Sequence, residues 1–186
     1  MGGRTRHLVR VGGAAERFGV IPDLAVYGKA MAGGWPVAAV AGPAELMERF
    51  GSGEVNHSGT FNGNVMAAAA TIATLDVLRA DRPHDRIEQV GARLMEELRA
   101  LAEDASVPLR LRGFPLAFHA SFGDGEVYDL RGVQALDTAR YKRLAARLVD
   151  AGVWVAARGI WYVSAAHGER ELEVTLDRAE RALAAG

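Results

Sequence analysis

Two short apolar runs joined by a glycine-rich turn constrain the fold of this chain most strongly. The first run, LAVYGK, covers residues 24–29, and the second, PVAAVAG, covers residues 36–42, with Gly33 and Gly34 between them. Continuous apolar runs of this length are typical of strands that are covered on both faces. The sequence therefore predicts two buried strands of an α/β fold, and Lys29 stands at the end of the first.

The segments that follow alternate between helix and loop. Pro43 precedes the helical segment AELMERF, and the glycines of residues 51–53 end it. A polar loop then leads to the long helix VMAAAATIATLDVLRA, for which Asn62 or Asn64 can serve as the N-cap. The first part of the chain is thus predicted to run strand, turn, strand, helix, loop and helix.

A change of composition near residues 81–83 predicts a domain boundary, with residues 1–80 in one domain and residues 81–186 in another. Pro83 begins a helix whose apolar residues recur at helical spacing on one stripe. After Pro108 the sequence alternates like antiparallel strands, with Gly123-Asp124-Gly125 as a hairpin or bulge signal. The apolar stripe of the helix is formed by Ile87, Val90, Leu94, Leu98 and Leu101.

The remaining segments complete a small α+β domain. A helix closed by Gly152 is predicted from Leu136, Tyr141, Leu144 and Leu148. Two short strands are expected around Arg158-Gly159, and GERELEVTLDRAERALAAG reads as an amphipathic terminal helix. The aromatic residues expected in the core of this domain are Trp154, Trp161 and Tyr162.

Composition narrows the class of protein. The 186 residues are 49% hydrophobic and 24% charged, with a formal net charge of -1 and no cysteine. This balance favours an ordinary globular protein with no nucleic-acid or membrane partner, and it excludes disulfides and thiolate chemistry. No apolar run reaches the roughly 18 residues of a membrane helix, and the basic start at residues 4–10 lacks a signal-peptide pattern, so we expect a cytoplasmic protein.

Lys29 and the loop at residues 57–64 together suggest a chemical function. A lysine acts as a nucleophile when it loses its proton, which desolvation at the end of a buried strand would favour. The loop offers the hydroxyls of Ser58 and Thr60 and free backbone N–H groups before a helix, which is how proteins hold a phosphate. An amine beside a phosphate cradle predicts pyridoxal phosphate, with Lys29 as its Schiff-base lysine.

Each of these residues also has a purely structural interpretation. Lys29 could be a solvated surface lysine, and the serine and threonine of the loop could serve turns and helix caps. Trp35 either borders the substrate or fills an interface, and Arg158 either holds a substrate carboxylate or makes a surface salt bridge. His57 and His167 are better explained by packing or hydrogen bonding than by a metal site.

Three stretches in order resemble the class III aminotransferases, which are fold type I pyridoxal-phosphate enzymes, and particularly the branch that contains glutamate-1-semialdehyde 2,1-aminomutase. They are PDLAVYGKAMAGGWPVAAVAG, HSGTFNGNVMAAAATIATL and the closing GIWYVSAAHGERELEVTLDRAERAL. The 31-residue separation of Lys29 and Thr60 also matches the spacing in that family.

The resemblance implies an α/β fold in which a partial fold type I large domain at residues 1–80 is followed by a small α+β C-terminal domain at residues 81–186. It implies that Lys29 forms the Schiff base with pyridoxal 5'-phosphate and moves a proton on a small amino-group donor or acceptor. Ser58, Gly59 and Thr60 would bind the phosphate of a neighbouring subunit's cofactor, so a homodimer with shared active sites is expected. Aminotransferase and aminomutase activity both remain open.

Other features of that family have no counterpart in this chain. These are an upstream glycine-rich phosphate loop, an aromatic residue that stacks on the cofactor, and an aspartate that pairs with its pyridine nitrogen. We therefore expect a truncated form that resembles only the C-terminal half, binds cofactor weakly and leaves apolar faces of residues 24–41 exposed. Two alternatives stay open: a non-catalytic interaction protein, and a phosphate-binding protein without Schiff-base chemistry.

Overall fold

The computed structural model describes residues 13–185, so the basic stretch at residues 4–10 lies outside the described residues. The chain divides into two compact units, Met1–Pro83 and His84–Gly186. Each unit is described by itself below. Their assignment as part of a cofactor-binding domain and as a small C-terminal domain stays a prediction.

The first unit consists of short elements around one long helix. Its two strands pair antiparallel, with Val26 opposite Val40. A 3-10 turn begins two residues after the first strand, and a short helix that begins at Gly13, which the sequence did not predict, precedes that strand. The elements are α1 Gly13–Phe18, β1 Ala25–Tyr27, the 3-10 turn Lys29–Ala32, β2 Ala39–Ala41, α2 Ala44–Gly51 and α3 Val65–Asp81.

The prediction that both strands are covered on their two faces is wrong for this chain. Val26 is 77% exposed and Val40 is 41% exposed. Two strands of three residues form only a ribbon, and within residues 13–83 the fully buried hydrophobic residues are Ala32 and Ala67 alone. The exposed apolar faces expected around residues 24–41 are therefore confirmed.

The sequence correctly predicts the start of the long helix in the first unit. Asn64, one of the two expected caps, accepts a hydrogen bond at its Oδ1 from the Ala67 N–H at 3.0 Å and begins α3. The 3-10 turn packs on this helix. Gly33, which ends the turn, has φ +59°, and a Cβ there would lie 3.1 Å from the Thr74 hydroxyl. Glycine suits this position because it tolerates positive φ and leaves room for the helix.

The second unit packs helices on a three-stranded antiparallel sheet of order β3-β4-β5. None of the helices in the described residues has both the length and the apolar character to span a membrane. The elements are α4 Pro83–Asp104, β3 Leu109–Phe114, β4 Ala117–Phe122, α5 Leu130–Gln134, α6 Thr138–Asp150, β5 Ile160–Tyr162 and α7 Glu169–Ala184.

A single hydrophobic core lies between this sheet and its helices. Phe118, which is 1% exposed, stacks on Trp161 with ring centroids 5.5 Å apart. The predicted stripe of α4 is confirmed, since Val90, Leu94 and Leu98 are buried in the core. Burial of this kind stabilises a fold by roughly 1.5–3 kcal/mol for each large apolar side chain.

The hairpin of this sheet is not where the sequence predicted it. β3 and β4 turn at Pro115, where Phe114 pairs with Ala117, whereas Gly123-Asp124-Gly125 follows the end of β4. The side chain of Arg112 donates to the carbonyls of Gly123 and Gly125 at 3.3 and 3.0 Å, which holds that loop beside β3. Proline at the first central position of a tight turn is the signal that was missed.

Two of the three aromatic residues assigned to the core are instead exposed. Trp161 is buried, but Trp154 is 91% exposed and Tyr162 is 64% exposed. Only one of the two strands expected around Arg158-Gly159 forms. The N–H of Val153 donates to the carbonyl of Leu148 at 2.7 Å, so the chain there closes the preceding helix instead of joining the sheet.

Candidate active site

Lys29 lies two residues after the end of β1, as the first residue of the 3-10 turn. Its φ is +55°, which is uncommon for a residue with a Cβ. Such left-handed residues persist where the surrounding structure holds them, and they cluster at functional sites. Here the turn is held by hydrogen bonds from the Met31 N–H to the Gly28 carbonyl and from the Gly33 N–H to the Ala30 carbonyl.

The expected burial of Lys29 is not found in this chain. The residue is exposed, because the β1–β2 ribbon carries no covering layer within residues 13–83. Within the described residues its amine has no hydrogen-bond or ion-pair partner. The amine is therefore unpaired within these residues, which do not supply the dry environment that the sequence suggested.

An open groove of about 450 Å³ lies in the same unit. One wall is formed by residues 36–40, and the other by His57 and the start of α3. Gly28, the residue before Lys29, lies against the first wall, since a Cβ there would be 3.6 Å from the Val37 carbonyl oxygen. Gly28 therefore packs beside a wall of this groove, although neither Gly28 nor Lys29 lines it.

Only part of the predicted phosphate loop borders this groove: His57 and residues 61–64 line it, whereas Ser58, Gly59 and Thr60 are not among its lining residues. Asn62 shapes the loop: its N–H donates to the Gly59 carbonyl at 3.0 Å, and its Nδ2 donates to the His57 carbonyl at 3.3 Å. A Cβ at Gly59 would come within 2.9 Å of the Asn62 Oδ1, so a larger residue there would have to displace that amide. Asn62, which the sequence suggested only as a cap, thus stabilises the loop through these two hydrogen bonds.

The predicted phosphate loop exposes backbone donors that are not used within the described residues. Ser58, Gly59 and Thr60 are exposed, and their backbone N–H groups donate to no acceptor in the part of the chain that the structure describes. Consecutive free N–H groups with hydroxyls beside them form the usual setting for a phosphate. An unpaired amine can bond to an aldehyde, and such a loop can donate hydrogen bonds to a phosphate group. The residues present therefore fit pyridoxal phosphate.

The weaker sequence candidates are placed as follows. Trp35 is 47% exposed in the first unit. Arg158 is exposed in the second unit, where it lines a cavity that also involves Lys142. The roles of both as substrate residues stay predictions. The hydrogen-bonding role expected for His167 is confirmed, because its Nδ1 accepts from the Ser164 N–H at 3.0 Å.

Sequence reasoning passed over Lys142. It is the second of only two lysines in a chain with 22 basic residues, and it lies on α6 beside the cavity of Arg158. The rarity of lysine was the available signal, because the other basic residues of this chain are arginines and the two residue types are not interchangeable. Neither its position in the helical repeat of α6 nor the residues next to it marked Lys142 as unusual.

A family model described as aminotransferase class-III matches residues 9–167. Two curated relatives, both named glutamate-1-semialdehyde 2,1-aminomutase, are 38% and 39% identical. The first, from Methanopyrus kandleri, aligns over 94% of this chain, and the second, from Gemmatimonas aurantiaca, over 95%. The chain spans 41% of the length of each of these relatives.

A solved omega-transaminase from Sphaerobacter thermophilus has a similar fold. It superposes with a TM-score of 0.81 over 98% of this chain and 43% of its own, at 28% identity. A second structure, described as a transaminase with PLP bound, gives a TM-score of 0.81 at 25% identity over 96% of this chain and 42% of its own. The predicted partial fold type I transferase fold and the predicted family are both confirmed, and this chain belongs to the class III aminotransferases.

Proposed function

We propose that this chain contributes to pyridoxal-phosphate-dependent amino-group transfer, as an aminotransferase or a glutamate-1-semialdehyde 2,1-aminomutase-like enzyme, with Lys29 as the residue that bonds to the cofactor. The observation that carries the proposal is the position of Lys29. It is an unpaired amine in a left-handed turn at the end of a strand, and the adjoining Gly28 contacts the wall of a groove.

The roles of the residues follow from their chemistry. When bound, pyridoxal phosphate supplies an aldehyde and an electron-withdrawing ring. Lys29 would hold the aldehyde carbon covalently through its amine and, once an incoming amine has taken its place, would carry a proton to and from the substrate carbon. Ser58, Gly59 and Thr60 hold a phosphate through hydroxyl and N–H donors. Among the described residues these are the groups in the first unit that suit both ends of the cofactor.

A complete site is proposed to need more polypeptide than this chain contains. We assign residues 1–80 to a cofactor-binding large domain and residues 81–186 to a small C-terminal domain. The coverage of 41% of the relatives' length supports a truncated form, and the exposure of Lys29 supports a site completed by other polypeptide. A homodimer in which the 58–60 loop of one copy holds the cofactor of the other would meet part of that need.

Cofactor titration tests the proposal. Pyridoxal phosphate is added to the 186-residue chain and binding is followed by the change in its visible absorbance. We expect a saturable change that Lys29→Ala abolishes and that Thr60→Ala weakens about 10-fold, the effect of losing one hydrogen bond to a charged group. Lys142→Ala is the matched control and should leave the titration unchanged.

The outcomes separate the alternatives. Binding of the cofactor that survives Lys29→Ala would favour a phosphate-binding protein without amine chemistry. The absence of any saturable change would favour the interaction protein, which is the second candidate because the first unit exposes large apolar residues such as Ile21 at 96% and Phe61 at 75%. Either result would contradict the proposed role of Lys29.

A further inference from the structure

We propose that Asn62-Gly63 is a site of spontaneous deamidation, which converts the Asn62 amide to a carboxylate and adds a negative charge to the loop at residues 57–64. The reaction needs water and a base, and it needs no cofactor or partner protein. The modification is therefore independent of the proposed role of Lys29. Only its effect on phosphate binding rests on the proposed function.

The reaction is an attack by the main chain on the neighbouring side chain. Once a base has removed its proton, the Gly63 amide nitrogen bonds to the Asn62 Cγ, and the side-chain nitrogen takes up a proton and leaves as ammonia. Water then opens the cyclic imide at either carbonyl carbon, which gives aspartate or isoaspartate. Glycine after the asparagine favours this reaction, because a Cβ on the following residue would crowd the attacking nitrogen.

Asn62 and Gly63 are the two central residues of an exposed turn. The Asn64 N–H donates to the Phe61 carbonyl at 3.1 Å and closes the turn. Gly63 has φ +68°, which glycine adopts readily, and beyond its chain neighbours no atom lies within 4 Å of the position that a Cβ would take there. Water and base can therefore reach Gly63.

The attacking nitrogen of Gly63 is not occupied by a hydrogen bond. Its N–H donates to no acceptor within residues 13–185. A main-chain N–H in a helix or sheet is released only when that element opens locally, and such opening costs free energy. Gly63 lies outside every helix and strand of the described chain, so its nitrogen can lose a proton without any opening.

The amide that is attacked is held weakly. The Asn62 Nδ2 donates to the His57 carbonyl at 3.3 Å, and this hydrogen bond is exposed to solvent. An exposed hydrogen bond of this length restrains a side chain little, because water replaces it readily. The Asn62 side chain is therefore able to rotate and bring its Cγ to the Gly63 nitrogen.

The other asparagines of the chain lack these features. The chain contains three asparagines, at positions 56, 62 and 64. Asn56 precedes His57 and Asn64 precedes Val65, and each of these following residues has a side chain that crowds its own main-chain nitrogen. Asn64 is also fixed as the cap of α3 through its Oδ1. The chain thus supplies two internal controls for Asn62.

Deamidation would change the loop in two ways. A carboxylate cannot donate, so the hydrogen bond from residue 62 to the His57 carbonyl would be lost. The new negative charge would also lie two residues after Thr60, in the loop that the proposed function assigns to a phosphate. Like charges repel, so an aged chain should hold pyridoxal phosphate more weakly than a fresh one.

Timed incubation of the full chain, followed by digestion and mass spectrometry, tests the modification. Each asparagine is scored for conversion of its amide to an acid, at neutral and at mildly alkaline pH. We expect Asn62 to convert at least about 10-fold faster than Asn56 or Asn64, because only Asn62 precedes glycine. Its rate should rise with pH, since base activates the attacking nitrogen. Conversion of Asn62 that is no faster than that of the other two, or that does not rise with pH, would overturn the proposal.

The same incubation in urea tests whether the fold leaves the site open. Because no hydrogen bond has to break at Gly63, the folded chain should convert Asn62 at a rate within about 10-fold of that in the unfolded chain. Much slower conversion in the folded chain would show that the turn protects Asn62, and it would contradict the structural argument.

The effect on the loop is tested with Asn62→Asp, which carries the charge of the product. Asn62→Gln is the comparison, since it changes the side chain without adding a charge. In a pyridoxal phosphate titration we expect Asn62→Asp to bind about 10-fold more weakly than Asn62→Gln. Equal binding by the two variants would contradict the effect of the charge. Failure of the unmodified chain to bind the cofactor would contradict the proposed function alone, because mass spectrometry measures the modification without cofactor.

Discussion

The two units of this chain bury their apolar residues to very different degrees. The second unit encloses a core that includes Phe118, Leu98 and Leu148, whereas the described part of the first unit fully buries only Ala32 and Ala67. Both units contain regular helices and paired strands. The difference is therefore one of layers: in the second unit helices cover a sheet, and in the first a two-stranded ribbon has no such cover.

This difference bears directly on function, because Lys29 and the 58–60 loop belong to the unit without a closed core. Exposed apolar residues on the ribbon, such as Val26, are a surface that water disfavours. Covering that surface with a second copy or with further polypeptide would also remove water from around Lys29. In this account the stability of the first unit and the reactivity of its lysine depend on the same covering layer.

Separating the two units at the start of α4 is expected to have the largest effect. We expect residues 82–186 alone to unfold in one cooperative thermal transition, because their core is complete. Residues 1–81 alone should show no cooperative transition. Circular dichroism melts measure both, and a cooperative melt of the first fragment as a monomer would show that the first unit is self-sufficient.

Two phenylalanines provide a matched substitution within the intact chain. Phe118→Ala removes a side chain that is 1% exposed and should lower the free energy of unfolding by about 3–5 kcal/mol. Phe61→Ala removes one that is 75% exposed and should change it by less than about 0.5 kcal/mol. Denaturant titration gives both values. A comparable loss for Phe61 would mean that the first unit is covered in solution.

The buried Tyr141 gives the second unit a stability that depends on pH. The pKa of Tyr141 is raised from 10.0 to about 12 by burial, so the folded state holds the proton more tightly than the unfolded state. Stability from this group is present below about pH 10 and is lost between about pH 10 and 12, by up to roughly 2–3 kcal/mol. Denaturant titrations across that range should show the decline in the wild type and a smaller one in Tyr141→Phe. An equal decline in both would rule out Tyr141 as its source.

Features governed by neighbouring residues were predictable from the sequence. The cap at Asn64 and the apolar stripe of α4 depend on spacings of three and four residues, and both are found as expected. The family was predictable for a related reason, since the segments around Lys29 and Thr60 lie within the stretch that matches the family model.

Features governed by distant residues were not predictable in the same way. Trp154 and Trp161 lie seven residues apart in similar apolar surroundings, yet only Trp161 meets Phe118 across the sheet. The burial of Lys29 was inferred from the apolar run before it, but burial depends on whichever segment packs over the strand. The pattern of apolar residues in the sequence identifies an apolar run, but it does not identify the segment that packs over that run.

Reductive trapping tests whether the amine of Lys29 is the one that bonds to pyridoxal phosphate. The chain is incubated with the cofactor, treated with borohydride and digested, and the label is located by mass spectrometry. Because Lys29 and Lys142 are the only lysines, each molecule carries its own control. We expect label on Lys29 well in excess of Lys142, whereas equal labelling or a preference for Lys142 would show that the cofactor does not select Lys29.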